Sequence, residues 1–114
     1  MHNDEFEVIA TQQIARCLDV LGFKAGEYAT EDRLHNFKIA SQIQECTMRQ
    51  ALAGMLVKHT TSIYDMCKSL VESPIELWDE KITDHINYLI LLRAVVQEES
   101  KTKKTRISQE KHTL

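Results

Sequence analysis

The sequence predicts an all-α protein: a four-helix bundle-like domain built round a long central antiparallel hairpin. Three observations carry this prediction. One proline and three glycines in 114 residues leave few turn signals between segments. Seven scattered aromatics are too few for a sandwich or barrel. Apolar residues return at steps of three and four along most of the first 97 positions instead of alternating. A hydrophobic content of 43% over this length supports one core and excludes a multidomain enzyme.

The elements follow in order. Phe6, Ile9, Ala10, Ile14, Cys17, Leu18 and Leu21 form the apolar stripe of a first helix that stops at Gly22, a suitable C-terminal cap. Residues 23–29, with Gly26, read as a loop. Thr30 then caps a second helix with Glu31 and Asp32 in its first turn, running to about Gln44 with Leu34, Phe37, Ala40 and Ile43 as core positions. Thr47 and Gln50 make a capping-box pattern, after which Met48, Leu52, Met55, Leu56, His59, Ile63, Met66 and Leu70 hold one stripe. Ser73-Pro74-Ile75-Glu76 starts the fourth helix: serine caps, proline suits the first helical position and Glu76 reaches back. The short connection predicts a hairpin of about residues 48–72 and 74–97, about 35 Å long. The fourth helix has one apolar face at Ile75, Trp78, Ile82, Ile86, Leu89 and Val96, and a second at Leu77, Tyr88, Leu91 and Val95, which makes it central. Residues 1–98 form the single domain. Residues 99–114, without apolar periodicity, are expected to be a disordered tail.

Charge divides the chain. The net charge is −3; residues 100–114 carry Lys101, Lys103, Lys104, Arg106 and Lys111 against Glu110, a net +4, which leaves −7 on the rest. An acidic body with a short basic tail follows. The tail has no interleaved aromatics and would hold nucleic acid only weakly, so nucleic acid is not the expected partner. Cys17, Cys46 and Cys67 are odd in number and lack a CxxC pair, so buried or half-buried thiols are expected. The acidic N-terminal residues argue against a signal peptide. The longest apolar run, Tyr88 to Leu92, stops at Arg93, short of the roughly 20 residues of a membrane span. A cytoplasmic protein with no membrane partner is expected.

The chemistry-bearing stretch runs from Trp78 to Leu89. Glu80 and Asp84 are four apart and share a helical face, where two carboxylates either share a divalent cation or repel one another. With His59 they are the candidate metal ligands, although a solvated carboxylate pair needs no metal. His35, His59 and His85 lie on three different helices and, with Asp84, offer a second set for zinc, manganese or iron. The ordinary alternative for His59 is a hydrogen-bonded core histidine. Glu80, Asp84 and Asn87 share their face with Tyr88 and Leu91, which predicts a lined pocket or a partner interface. Neither a Gly-rich phosphate loop nor a Ser/His/Asp arrangement is present, so no catalytic residue is assigned.

Glu80-x-x-x-Asp84-x-x-x-Tyr88-Leu89, preceded by a long helix carrying Met55-Leu56-Val57-Lys58-His59, resembles the MazG-like all-α nucleoside triphosphate pyrophosphohydrolases. The resemblance implies a four-helix assembly that dimerises and cleaves nucleoside triphosphates with magnesium. The family's ligands come from Glu-Glu-x-x-Glu on one helix and Glu-x-x-Asp on the next. Laid on this chain, the first motif falls on Lys58, His59 and Ser62 and the second on Lys81 and Asp84, so Asp84 alone keeps its carboxylate. Magnesium takes hard oxygen ligands, and lysines in their place remove its attraction. Over residues 22–95 the chain also resembles small phage and prophage proteins distantly similar to MazG. The shared features are Lys24-Ala25-Gly26-Glu27-Tyr28-Ala29, His35-Asn36-Phe37, Lys58, Trp78 and Asp84 to Tyr88. That likeness implies a phage origin, a place in the host cytoplasm and a nucleotide-related ancestry, without an established activity.

Two functional expectations result. In the first, the protein binds a nucleotide or nucleotide-derived signal without standard magnesium-dependent hydrolysis; magnesium is its cofactor only if it is an enzyme. Lys58, with Lys81 across the hairpin, takes a phosphate in place of the lost cation. Asp84 and Tyr88 complete the site, and Tyr28, Tyr88 and Trp78 stack a base. The plainer readings are a snorkelling Lys58 and aromatics in the core. In the second, the chain is a non-catalytic helical module for a host defence or regulatory protein, its acidic body suiting a basic target. A homodimer or higher homo-oligomer is expected under either, because four helices cannot easily cover both apolar faces of the fourth.

Overall fold

The computed structural model describes residues 1–22 and 32–112, with side chains to residue 109. These residues form four helices, α1 (Asn3–Val20), α2 (His35–Gln44), α3 (Met48–Lys68) and α4 (Ile75–His112), and no strand. The all-α prediction holds. The expected loop at residues 23–29 and the cap at Thr30 with Glu31 lie outside the described residues.

Local chemistry explains most of the boundaries. The His2 side chain accepts from the Asp4 amide at the start of α1. Gly22, at φ 79°, ends that helix in the left-handed conformation glycine tolerates. Asp32 accepts from the Leu34 amide at 2.9 Å and from Lys38 Nζ at 2.6 Å, bracketing the first turn of α2. The capping box of α3 forms in both directions: Gln50 N donates to Thr47 Oγ1 at 3.2 Å and Thr47 N to Gln50 Oε1 at 2.9 Å. In α4 the first bonds go from Leu77 N and Trp78 N to the Pro74 carbonyl, so the helix starts one residue later than a Ser73 cap implies.

The order of contacts fixes the directions of the helices. Gln13 donates to Thr83 and Asn87 to the Cys17 carbonyl, both pairs 70 residues apart, so α1 runs parallel to α4. Arg49 meets Glu99 and Thr60 meets His85, at separations that fall from 50 to 25, so α3 runs antiparallel to α4. α2 packs on α3 and ion-pairs to α4 through Lys38 and Glu98 at 3.6 Å. The core is the cluster Leu34, Phe37, Leu52 and Val95, with Met48, Met55, Leu56, Tyr88, Leu91 and Leu92 against it. α4 packs along α3 and α1 and meets α2 through side chains, the Lys38–Glu98 ion pair and the shared core, which is the position of a central helix.

Two expectations change. Among the described residues α1 packs on α4 alone. Only Cys17 of its stripe is buried, while Phe6 and Ile14 are each 61% exposed. Periodicity detects an apolar face but not whether the rest of the fold reaches it. The basic tail also differs: α4 continues through His112 instead of ending near Gln97. Lysine, glutamate, arginine and glutamine have high helix propensity, and an existing helix extends without a second nucleation cost. Glu99 and Lys103 add an opposite-charge i,i+4 spacing.

Candidate functional site

The Asp84 to Leu91 turns of α4 pass under the junction of α1 and α2. Asp84, Asn87, Tyr88 and Leu91 are spaced i, i+3, i+4 and i+7, so they share one helical face. Arg33, just before α2, donates to the Leu21 carbonyl at the end of α1 and ties the two elements together. Between them lies a cavity of about 260 Å³ lined by these four side chains together with Leu21, Arg33, Asn36 and Phe37. It combines a carboxylate, two amides and a guanidinium with two aromatic rings. Of the Glu80, Asp84, Asn87, Tyr88 and Leu91 face, expected to line either a pocket or a partner interface, the last four line this cavity. Glu80, exposed one turn earlier, is not part of it.

Asn87 is 5% exposed. Its Nδ2 donates to the Cys17 carbonyl at 3.2 Å, and that acceptor fixes which end of the amide is nitrogen. Its Oδ1 is buried and has no hydrogen-bond partner. An unsatisfied buried acceptor is uncommon in folded proteins and carries a free-energy cost.

Tyr88 is the wall between this cavity and a second. On its far side the His59 ring lies 4.5 Å from the Tyr88 ring, centroid to centroid, at 35°. Lys58, His59, Tyr88, Gln44, Gly54 and Met55 line an open cleft of about 410 Å³ there. A Cβ placed on Gly54 would meet nothing within 4 Å, so the cleft floor is open. Half-buried His59 is thus a ring partner of Tyr88.

The remaining predicted site residues lie apart. Thr60 pairs with His85 and His59 with Tyr88, so Lys58 is level with Tyr88, whereas Lys81 lies two turns earlier on α4, about 10 Å along the axis. The two lysines therefore do not face one another across the hairpin. Trp78 lines a depression at the hairpin turn beside Met66 and Cys67, ten residues and about 15 Å along α4 from Tyr88, too far to stack one base with it. Tyr28 lies outside the described residues. His85 bonds Thr60 Oγ1 at 2.9 Å and His35 is exposed. Among the described residues no three His, Cys, Asp or Glu side chains come together to hold a metal ion, so neither Asp84, Glu80 and His59 nor the three histidines converge.

Sequence reasoning missed Arg33 and the cavity role of Asn36. Both depend on how α1 and α2 meet, which no local spacing encodes. Their one sequence signal was the position of Asn36 within His35-Asn36-Phe37. The cysteines are all free; Cys17 is buried and Cys46 half-buried, but Cys67, near the end of α3 at the hairpin turn, is exposed, contrary to the expectation of covered thiols. Among the described residues no helix is long and apolar enough to cross a membrane. Compared with known proteins, the chain matches no family model, no curated protein and no solved structure.

Proposed function

We propose that this is a phage-type, MazG-like helical protein that binds a nucleotide or nucleotide-derived small molecule in the Asp84–Asn87–Tyr88 cavity, without standard magnesium-dependent hydrolysis. One observation carries the reading: a single motif of α4 delivers a carboxylate, a buried amide and an aromatic ring to one cavity, opposite Phe37 and Asn36 of α2. Polar groups converging beside aromatic walls are what a heterocyclic ligand needs for orientation and stacking. Arg33 at the same cavity supplies a cation, although Asp84 offsets it. The nucleotide class comes from the sequence resemblance. Binding without hydrolysis is supported by the lysines, histidine and serine at the positions where the resembling enzymes keep carboxylates.

Thermal shift and calorimetry against nucleoside mono-, di- and triphosphates and cyclic nucleotides, with and without Mg²⁺, test the proposal. Binding that is lost in Asp84→Ala supports it. The absence of any response sinks it, and Mg²⁺-dependent pyrophosphate release lost in Asp84→Ala replaces it with an enzymatic function. A second reading, docking on a host protein, is favoured by the many exposed apolar side chains; the oligomeric state decides whether those side chains are free.

A further inference from the structure

We infer that the projecting end of α4 is a binding element for duplex DNA, seated in the major groove with its cations on the phosphates of both strands. The expectation against nucleic acid assumes a disordered tail, which would lose its conformational freedom on binding. α4 instead runs through His112, so residues 101–112 stand as about 18 Å of preformed helix. That freedom is given up when the chain folds and not when a ligand arrives. Aromatics serve to stack the bases of a single strand, whereas entry into a duplex groove needs none.

The charge is spread round the helix. Lys101 and Lys103 are two residues apart, as are Lys104 and Arg106, so the members of each pair point to nearly opposite sides, about 160° apart. Lys103 and Arg106 line a notch of about 1340 Å³ between the rod and the start of α3, together with Thr47, Arg49 and Thr102. Lys101 and Lys104 turn away from it. The major groove is about 12 Å wide, admits an α-helix and carries phosphates along both edges. One strand then runs through the notch and the other past Lys101 and Lys104. A flat acidic protein surface would meet only one of these two sides. A helix that docks in a protein groove carries apolar anchors at spacings of three and four, and residues 101–109, all exposed, contain Ile107 alone.

The acidic body does not cancel this charge. Glu76, Asp79 and Glu80 lie more than twenty residues, about 30 Å, back along α4 from Lys101, several screening lengths at physiological salt. At the root of the rod Glu98 is paired with Lys38 at 3.6 Å and Glu99 with Arg49 at 3.2 Å. Lys101 is ten residues, about 15 Å, beyond Leu91 of the Asp84 cavity, so the two sites are separate.

Fluorescence anisotropy of a labelled mixed-sequence DNA duplex titrated with the full chain tests the inference. A Kd on the order of 1 μM is expected in about 50 mM salt. In about 200 mM salt it should be about a hundredfold weaker, a logarithmic slope of about −4 that corresponds to four phosphate contacts. Lys104→Gln and Arg106→Gln should each reduce the slope by about 1. Truncation after Ser100 should abolish binding while the helical circular dichroism of the remaining chain persists. A-form RNA has a major groove too narrow for side chains, so an RNA duplex of equal length should bind at least tenfold more weakly. No anisotropy change at low salt, or equal binding by the truncated chain, overturns the inference. Equal binding of the RNA duplex overturns the placement in the groove. Displacement of the DNA by polyglutamate as readily as by unlabelled duplex overturns it in favour of an acidic protein partner.

Discussion

The Cys17 carbonyl that receives the Asn87 amide already accepts from the Leu21 amide at 2.9 Å, so α1 does not need Asn87 to satisfy that oxygen. Replacing Asn87 by leucine, close to it in shape, removes the orphaned Oδ1 and leaves no other group unpaired. Because an unsatisfied buried polar group costs about 1–3 kcal/mol, Asn87→Leu is expected to raise stability by about 1 kcal/mol after the lost bond is counted. The same substitution should abolish the nucleotide-induced thermal shift. Urea melts with and without ligand check both halves, and a destabilised variant would show that Asn87 is structural. Glu45, at φ 54° and ψ 49°, holds the left-handed position after α2 that glycine usually fills. Glu45→Gly is expected to add about 1 kcal/mol in the same melts. Within α3, Gly54 lacks the helix propensity of alanine and has room for a methyl group. Gly54→Ala should therefore gain about 0.5–1 kcal/mol. If it also weakens ligand binding, the site is the Lys58 cleft and not the Asp84 cavity.

Element starts show how far the sequence could be read. The Thr47–Gln50 box was legible because both partners lie within one turn and need nothing from the rest of the fold. The course of α4 beyond Gln97 was not, since missing apolar periodicity reports missing packing and not missing helix. The Asp84 to Leu91 face was legible in phase, but its opposite wall at Arg33 and Asn36 required the placement of α2. The start of α2 is itself a titratable device. Lys38 donates to Asp32, as does the Leu34 amide, and together they hold the Asp32 carboxyl below its ordinary range; the same pairing raises the Lys38 ammonium above its own. A depressed carboxylate stabilises the fold above its unfolded pKa, near 3.8, and that contribution is lost as pH falls through the folded value. For the raised Lys38 the contribution is complete below about 10.5 and lost as pH rises through the folded value. Wild-type Tm should therefore drop below pH 4 more steeply than that of Asp32→Asn. Parallel curves for the two proteins would remove Asp32 from the acid limb.

At the scale of the whole molecule the chain spans 62 × 30 × 29 Å, and its long dimension is set by α4, whose 38 residues reach about 57 Å. Arg49, at the start of α3, is level with Glu99, so α4 continues past the end of the bundle as a basic rod carrying Lys101, Lys103, Lys104 and Arg106. Residues 101–109 are all exposed. Surface changes of this kind usually stay within about 0.5 kcal/mol, so truncation after Ser100 is expected to move Tm by no more than about 4 °C. The helical circular dichroism should fall by the share of the twelve helical residues removed. Charge predicts the remaining effect. Without the +4 of residues 100–114 the chain carries −7 instead of −3, and two such bodies repel one another when brought face to face. Self-association of the truncated chain should therefore weaken at low ionic strength and recover near 0.15 M salt, where the screening length is about 8 Å. Association that is equally strong at both salts would mean that the rod's charge plays no part in assembly, and a large loss of Tm would mean that the rod is packed in the assembled protein.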